Sequence, residues 1–240
     1  MGEAAKLRVR QALHRGGIEL ARDPYVNRLV RALGHAGVTT VLDVGANVGQ
    51  YASMLRSAGF DGRILSLEPL QDAHASLAAR AASDDRWQTR RAAAGDAPGE
   101  AVLNVSANSY SSSLRPMAER HVRADPRSVV IDTQSVPVVT VRDVVREEQI
   151  DPATCLLKID TQGHERAVLD GAGPLLDDLA AVQLELSFVE LYEGQELYDD
   201  LVAAMRSRGF VLWSLETGMS DATGRLLQCD GLFVKEERDV

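Results

Sequence analysis

Four stretches of the chain place ionisable side chains at or near the end of an apolar run, which is how a sheet delivers chemistry to its edge. The first is Val41-Leu42-Asp43-Val44-Gly45-Ala46-Asn47-Val48-Gly49-Gln50, an apolar run that meets an acid and then a tight glycine turn. The second, Arg63-Ile64-Leu65-Ser66-Leu67-Glu68-Pro69, also ends in an acid. The third is Leu156-Leu157-Lys158-Ile159-Asp160-Thr161-Gln162-Gly163-His164-Glu165, and the fourth, Val182-Gln183-Leu184-Glu185-Leu186-Ser187, brings a further carboxylate. Such carboxylates can accept a ribose diol, an ammonium group or a proton, and a neutral imidazole such as that of His164 takes up a proton near neutral pH. Lys158 could steady a developing alkoxide, or equally hold a structural ion pair with a neighbouring acid.

The elements that must position these groups are readable around them. Residues 51–59 have helical spacing after the glycine turn, so the first stretch reads as strand, turn, helix. Gly45 and Gly49 allow close approach of backbone, and Asn47 tolerates the dihedrals of a turn. In a βαβ unit the strand ends bearing Asp43 and Glu68 are neighbours, which puts Glu68 in reach of a ribose diol and Asp43 in reach of an ammonium or ribose group. Two acids beside a glycine turn repel phosphate and suit a nucleoside without one, and S-adenosylmethionine is such a ligand. The third glycine of the dinucleotide fingerprint is missing, yet the unit taken alone still admits a nicotinamide nucleotide or a purely structural corner.

The strand of Asp160 is expected beside the first, across the switch point of a doubly wound sheet, so that Asp160 faces the reactive end of the ligand. Thr161 is expected to cap the helix that follows. Residues 71–82 read as a polar helix and 87–93 as a third strand, after which Asp96 is a candidate adenine contact. A strand over 101–106 leads to a hydroxyl-rich loop at 108–113, expected as a lip over substrate. A charged helical piece over 115–123, an extended segment over 129–138 and a helix over 141–148 capped by Thr140 follow. A helix over 195–208 and two strands at 210–215 and 226–234, forming an antiparallel hairpin, close the chain.

With 240 residues the chain can bury the core of a single α/β domain. Its formal charge of −9 argues against a nucleic-acid partner. Cys155 and Cys229 are in no Cys-x-x-Cys arrangement and read as small buried apolar residues. No stretch has membrane-spanning length and no signal peptide is apparent, which points to a cytoplasmic location. Residues 1–39 read as an N-terminal helical extension, with a basic amphipathic helix over 3–20 and a second helix over 25–33 closed by Gly34, and 40–240 as the catalytic domain.

Taken together and in order, Asp43-Val44-Gly45-Ala46-Asn47-Val48-Gly49-Gln50-Tyr51, Glu68-Pro69, Lys158 through Glu165, Leu184-Glu185-Leu186-Ser187 with Leu191-Tyr192-Glu193-Gly194, and Asp230-Gly231-Leu232-Phe233 resemble the FkbM family of S-adenosylmethionine-dependent methyltransferases. The resemblance implies a Rossmann-like class I methyltransferase sheet, seven strands with the last antiparallel and helices on both faces. It also implies methyl transfer to a hydroxyl of a small-molecule acceptor, of the sugar, glycolipid or macrolide kind. Carried over residue by residue, it gives Asp43, Gly45, Asn47, Gly49 and Glu68 the methyl donor to hold. Asp160 and His164 are candidates for the base, with Lys158 and Glu185 beside them. Asp160 with Glu185 could also hold Mg²⁺, which would lower the pKa of the hydroxyl, but no residue is assigned to a metal. A nicotinamide-dependent oxidoreductase and a non-catalytic adenosyl-binding protein are the competing readings.

Overall fold

The computed structural model describes residues 24–235, so the basic helix expected over 3–20 lies outside the described residues. The described chain runs α1 (Tyr25–His35), β1 (Thr40–Val44), α2 (Gln50–Ser57), β2 (Arg63–Leu67), α3 (Gln71–Ala81), β3 (Trp87–Arg90), β4 (Ala93–Ala94) and β5 (Gly99–Ser106). It continues through α4 (Glu119–Ala124), β6 (Val130–Val139), α5 (Val141–Glu147), β7 (Cys155–Ile159), α6 (Glu165–Ala172), β8 (Ala181–Ser187), α7 (Tyr198–Ser207), β9 (Phe210–Thr217) and β10 (Gln228–Lys235). Seven strands form one sheet in the order β3-β2-β1-β7-β8-β10-β9, in which β10 alone runs against its neighbours. The order reverses between β1 and β7, the place where open α/β sheets bind ligands.

Alternation along each strand supplies a separate core to each face. In β1, Val41 packs with Leu29, Leu33, Leu55 and Leu77 from α1, α2 and α3. Its neighbour Leu42 belongs to the opposite cluster, with Val144, Val168 and Met205 from α5, α6 and α7. Central strands buried on both faces explain why the sequence there reads as continuous apolar runs.

Three features depart from the sequence reading. The third strand expected over 87–93 is two strands: β3 stays in the main sheet, and β4 pairs with β6 of a second sheet ordered β4-β6-β5. The break falls where the polar Gln88-Thr89-Arg90-Arg91 gives way to Ala92-Ala93-Ala94, and nothing in that local pattern says which sheet the alanines join. Helix α1 passes through Gly34 and ends at His35, with the left-handed backbone falling at Gly37 (φ 66°). Likewise α7 begins at Tyr198 rather than Gln195, because the Gln195 side chain is committed to the preceding loop, accepting from the amides of Leu191 and Tyr192.

Candidate active site

Strand register builds a polar row across the sheet one step inside its carboxyl edge. Asp43 stands opposite Ser66 on β2 and Lys158 on β7, and Lys158 stands opposite Gln183 on β8. Ser66 Oγ donates to Asp43 Oδ2 at 3.2 Å and itself accepts from Trp87 Nε1 at 3.0 Å. Lys158 Nζ lies 3.1 Å from Asp43 Oδ1 and 3.5 Å from Asp160 Oδ2, and it donates to the Gly45 carbonyl. Burial works against the ammonium charge, but the two carboxylates outweigh it and hold the Lys158 pKa above its ordinary value. The structural ion pair is thus the role of Lys158 that this geometry displays.

Above this row, at the switch point, opens a cavity of about 640 Å³. That is within the range of roughly 300–1,000 Å³ usual for small-molecule clefts. Of the residues expected to hold a donor, Gly45, Asn47 and Glu68 line it. Glu68 ties the turn together: Oε2 accepts from the Asn47 amide at 2.7 Å and Oε1 from the Leu70 amide at 2.8 Å. Gly45 has φ 78°, and a Cβ there would fall 1.8 Å from the Asp160 carbonyl oxygen, so only glycine lets the turn close over β7.

The other three are not among the residues that line it. Asp43 has no exposed surface and pairs with Lys158, which itself lines the cavity. Gly49 is outside the cavity, and its missing side chain makes room for Leu77 and Trp87, each 2.9 Å from where a Cβ would be. Asp96 is exposed and outside the cavity, because it follows β4 of the second sheet; Ala92, Ala93 and Ala94 line the wall in its place.

Asp160, His164, Lys158 and Glu185 all line the cavity. Gln162, held at φ 56°, joins two of them: its Nε2 donates to Asp160 Oδ1 and to Glu185 Oε2, both at 2.8 Å. Its Oε1 accepts from the Tyr192 hydroxyl at 2.7 Å. Thr161 does not cap α6; the Glu165 carboxylate instead accepts from the Thr161 and Gly163 amides, and His164 occupies the cap position. Burial, reinforced by Arg115, lowers the His164 pKa, and its Nδ1 has no partner among the described residues. Its Nε2 lies beside Gly95, 3.5 Å from where a Cβ there would be.

Sequence reasoning gave no role to Asp230 or Glu216, which both line the cavity. Register sets Asp230 of β10 between Glu185 of β8 and Glu216 of β9, a row of acids continuing the rim. Arg28 pairs with Glu216 at 3.4 Å, while Asp230 and Glu185 stand opposite one another, an arrangement of like charges that a cationic ligand would ease.

Residues 43–212 match the family model of the methyltransferase FkbM domain. The chain belongs to this family. It is therefore an FkbM-domain methyltransferase of the S-adenosylmethionine-dependent kind its motifs resemble, with S-adenosylmethionine as cofactor. None of the curated proteins matches it. Among solved structures, the METTL16 MTase domain is similar with a TM-score of 0.50 at 10% identity, over 89% of this chain and 67% of that one. Magnesium protoporphyrin IX methyltransferase (ChlM) from Synechocystis PCC 6803 with bound SAM gives 0.48 at 11% identity, over 88% and 78%. An rRNA methylase from Streptococcus thermophilus gives 0.48 at 10%, over 91% and 100%. The METTL16 likeness is one of fold alone.

The cavity of this FkbM-domain protein fits a cationic nucleoside. Glu68, Asp160, Glu185, Asp230 and Glu216 line it, against Lys158 as the ammonium. Burial pushes Glu68 up to about 7, partly offset by the amides of Leu70 and Asn47. Burial and then the neighbouring Asp160 push Asp230 up to about 6, and burial with Asp160 and Glu165 raises Glu185 well above the carboxylate range. A sulfonium or ammonium would relieve this crowding, whereas a pyrophosphate would aggravate it. The fit to Mg²⁺ is poorer: the Gln162 amide already bridges Asp160 and Glu185, and among the described residues no three His, Cys, Asp or Glu side chains converge as metal ligands.

Proposed function

We propose that this methyltransferase acts on a hydroxyl oxygen of a neutral small molecule, with Glu185 as the base that takes the hydroxyl proton. The observation that carries this is the Glu185 carboxylate itself. It stands at the switch-point rim with Oε2 held by Gln162, no hydrogen bond to Oε1 among the described residues, and a pKa raised by burial. A raised pKa makes the carboxylate a stronger base, and hydrogen-bond reach of the acceptor is the remaining requirement. Asp160 is less suited, since Gln162 and Lys158 engage both of its oxygens. His164 is neutral, and its Nε2 is packed beside Gly95.

S-adenosylmethionine supplies an activated methyl group on a sulfonium. Around it, Glu68 would accept from the ribose hydroxyls, the small side chains of Ala92, Ala93 and Ala94 would leave room for the base, and the acidic rim would balance the positive charge. The protein's main contribution is alignment, which is worth up to about 10 kcal/mol when two reactants are well placed. Acid-lined walls disfavour a phosphate-bearing acceptor, which supports a neutral small molecule over nucleic acid.

The test is turnover of methyl-labelled S-adenosylmethionine with a panel of glycosides, macrolides, phenols and RNA, each with and without EDTA. The expected product is a methyl ether formed equally well under EDTA. Methylated nitrogen, methylated RNA or a requirement for divalent metal would contradict the proposal.

A linkage prediction follows from the raised carboxyls. The free protein holds protons on Glu68 and Asp230 that the unfolded chain releases near pH 4, so their contribution to stability is present below that pH and is lost as pH rises through about 6 to 7. A bound cation favours the carboxylates and offsets that loss. The increase in melting temperature given by S-adenosylmethionine is therefore expected to be larger at about pH 8 than at about pH 5.5. An increase that is the same at both pH values would contradict an acid-lined donor site.

A further inference from the structure

A second cavity, of about 370 Å³, lies behind the hydroxyl-rich segment and shares Tyr110, Gln162 and Glu185 with the first. The segment between them contains the 3₁₀ helix Ser109–Ser111, in which residues three apart fall on one face. Ser109 and Ser112 line the first cavity, and Asn108 and Ser111 line the second. One short turn is thus a partition with two polar faces.

At the second cavity stands His121, which is 2% exposed. Its Nε2 is 3.4 Å from Ser111 Oγ and its ring packs edge-on to Tyr192, but its buried Nδ1 has no partner among the described residues. A buried polar nitrogen left unmatched is destabilising, and a ligand hydrogen bond would remove that cost. Burial lowers the His121 pKa, against the pull of Asp125, so the ring is neutral. Charge at the rim is also cancelled, because Arg127 binds Asp125 through Nε at 2.9 Å and Nη2 at 3.1 Å. What remains is a set of neutral hydrogen-bonding groups facing the Glu185 carboxylate.

We propose that the second cavity seats the methyl acceptor, that it takes an uncharged, polyhydroxylated group through His121, Asn108 and Ser111, and that Glu185 on the shared wall is where acceptor and donor meet. This rests on the methyl-transfer reading above and adds to it a separate seat for the acceptor. An anionic group would find the guanidinium that lines this cavity, Arg127, occupied by Asp125 and would face Glu185.

The experiment is saturation-transfer NMR on the full chain with S-adenosylhomocysteine filling the first cavity, using methyl α-glucopyranoside and glucose 6-phosphate as probes. The neutral glycoside is expected to bind in the presence of S-adenosylhomocysteine, and the phosphate at least about tenfold more weakly. Met219→Trp, which fills the second cavity from its rim, is expected to abolish glycoside binding while leaving S-adenosylhomocysteine affinity, read by calorimetry, unchanged. Should Met219→Trp fail to fold, His121→Phe is the second variant, with an expected loss of about tenfold in glycoside affinity. Glycoside displaced by S-adenosylhomocysteine, preference for the phosphate, indifference to the variants, or no glycoside binding would each overturn the proposal. If S-adenosylhomocysteine itself does not bind, the donor site fails, a result distinct from failure of the acceptor seat alone.

Discussion

Glu185→Gln is expected to lower kcat by about 10²–10⁴-fold, the contribution of a positioned general base. The amide keeps the shape of the side chain and can still accept from Gln162 Nε2, so the affinity for S-adenosylmethionine should change by no more than a few-fold. Wild-type kcat should fall as pH drops through the raised Glu185 pKa, and the variant should lose that acid limb. Asp160→Asn gives the contrast, because Asp160 has its oxygens committed to Lys158 and Gln162 and should retain the wild-type pH profile at reduced rate. A Glu185→Gln enzyme within about threefold of wild type would remove Glu185 from the proton transfer and return the role to Asp160 or His164.

Lys158→Met is expected to have the largest effect on stability. It leaves Asp43, which has no exposed surface, without its cation. Breaking a buried pair in this way costs about 3–5 kcal/mol, since the remaining carboxylate keeps only the Ser66 hydroxyl and no counter-charge. For a chain of this size the corresponding fall in melting temperature is roughly 6–20 °C. The double variant Asp43→Asn with Lys158→Met removes the stranded charge and should be more stable than Lys158→Met alone, as read by urea denaturation. A double variant no better than the single one would mean that the lysine acts through packing and not through its ion pair.

These two residues also show where the sequence was readable and where it stopped. The glycine turn, the parallel strands with their crossover helices and the place of the Asp160 strand beside the first all follow from local pattern, because apolar runs, turn residues and helical spacing are local properties. Asp43 and Glu68 look alike in sequence, each an acid close to the end of an apolar run. In space Glu68 follows the last residue of β2, while Asp43 precedes the last residue of β1 and faces a lysine 115 positions further along. One residue of register decides between a place on the cavity rim and a buried anchor, and register is set by tertiary pairing.

The same cause hid Asp230 and Glu216, whose approach to Glu185 depends on the pairing of β10 with β8 and β9. The hydroxyl-rich loop was legible as a polar connection, but its two-faced 3₁₀ turn was not, because the Asn108 cap and the serines on either side fit an ordinary solvated loop equally well. Asp96 was placed by continuing the third strand, and the structure ends that strand at Arg90.

The central claim is that the cavity between the glycine turn, Glu68 and Asp160 is the seat of the methyl donor. Its most direct test is calorimetric titration of S-adenosylmethionine into the wild type and into Glu68→Gln, which loses the charge and one acceptor while keeping the size of the side chain. Binding at one site per chain, weakened roughly 10- to 100-fold by the substitution, is the predicted result. Absence of binding to the wild type, or equal affinity in the variant, would contradict it.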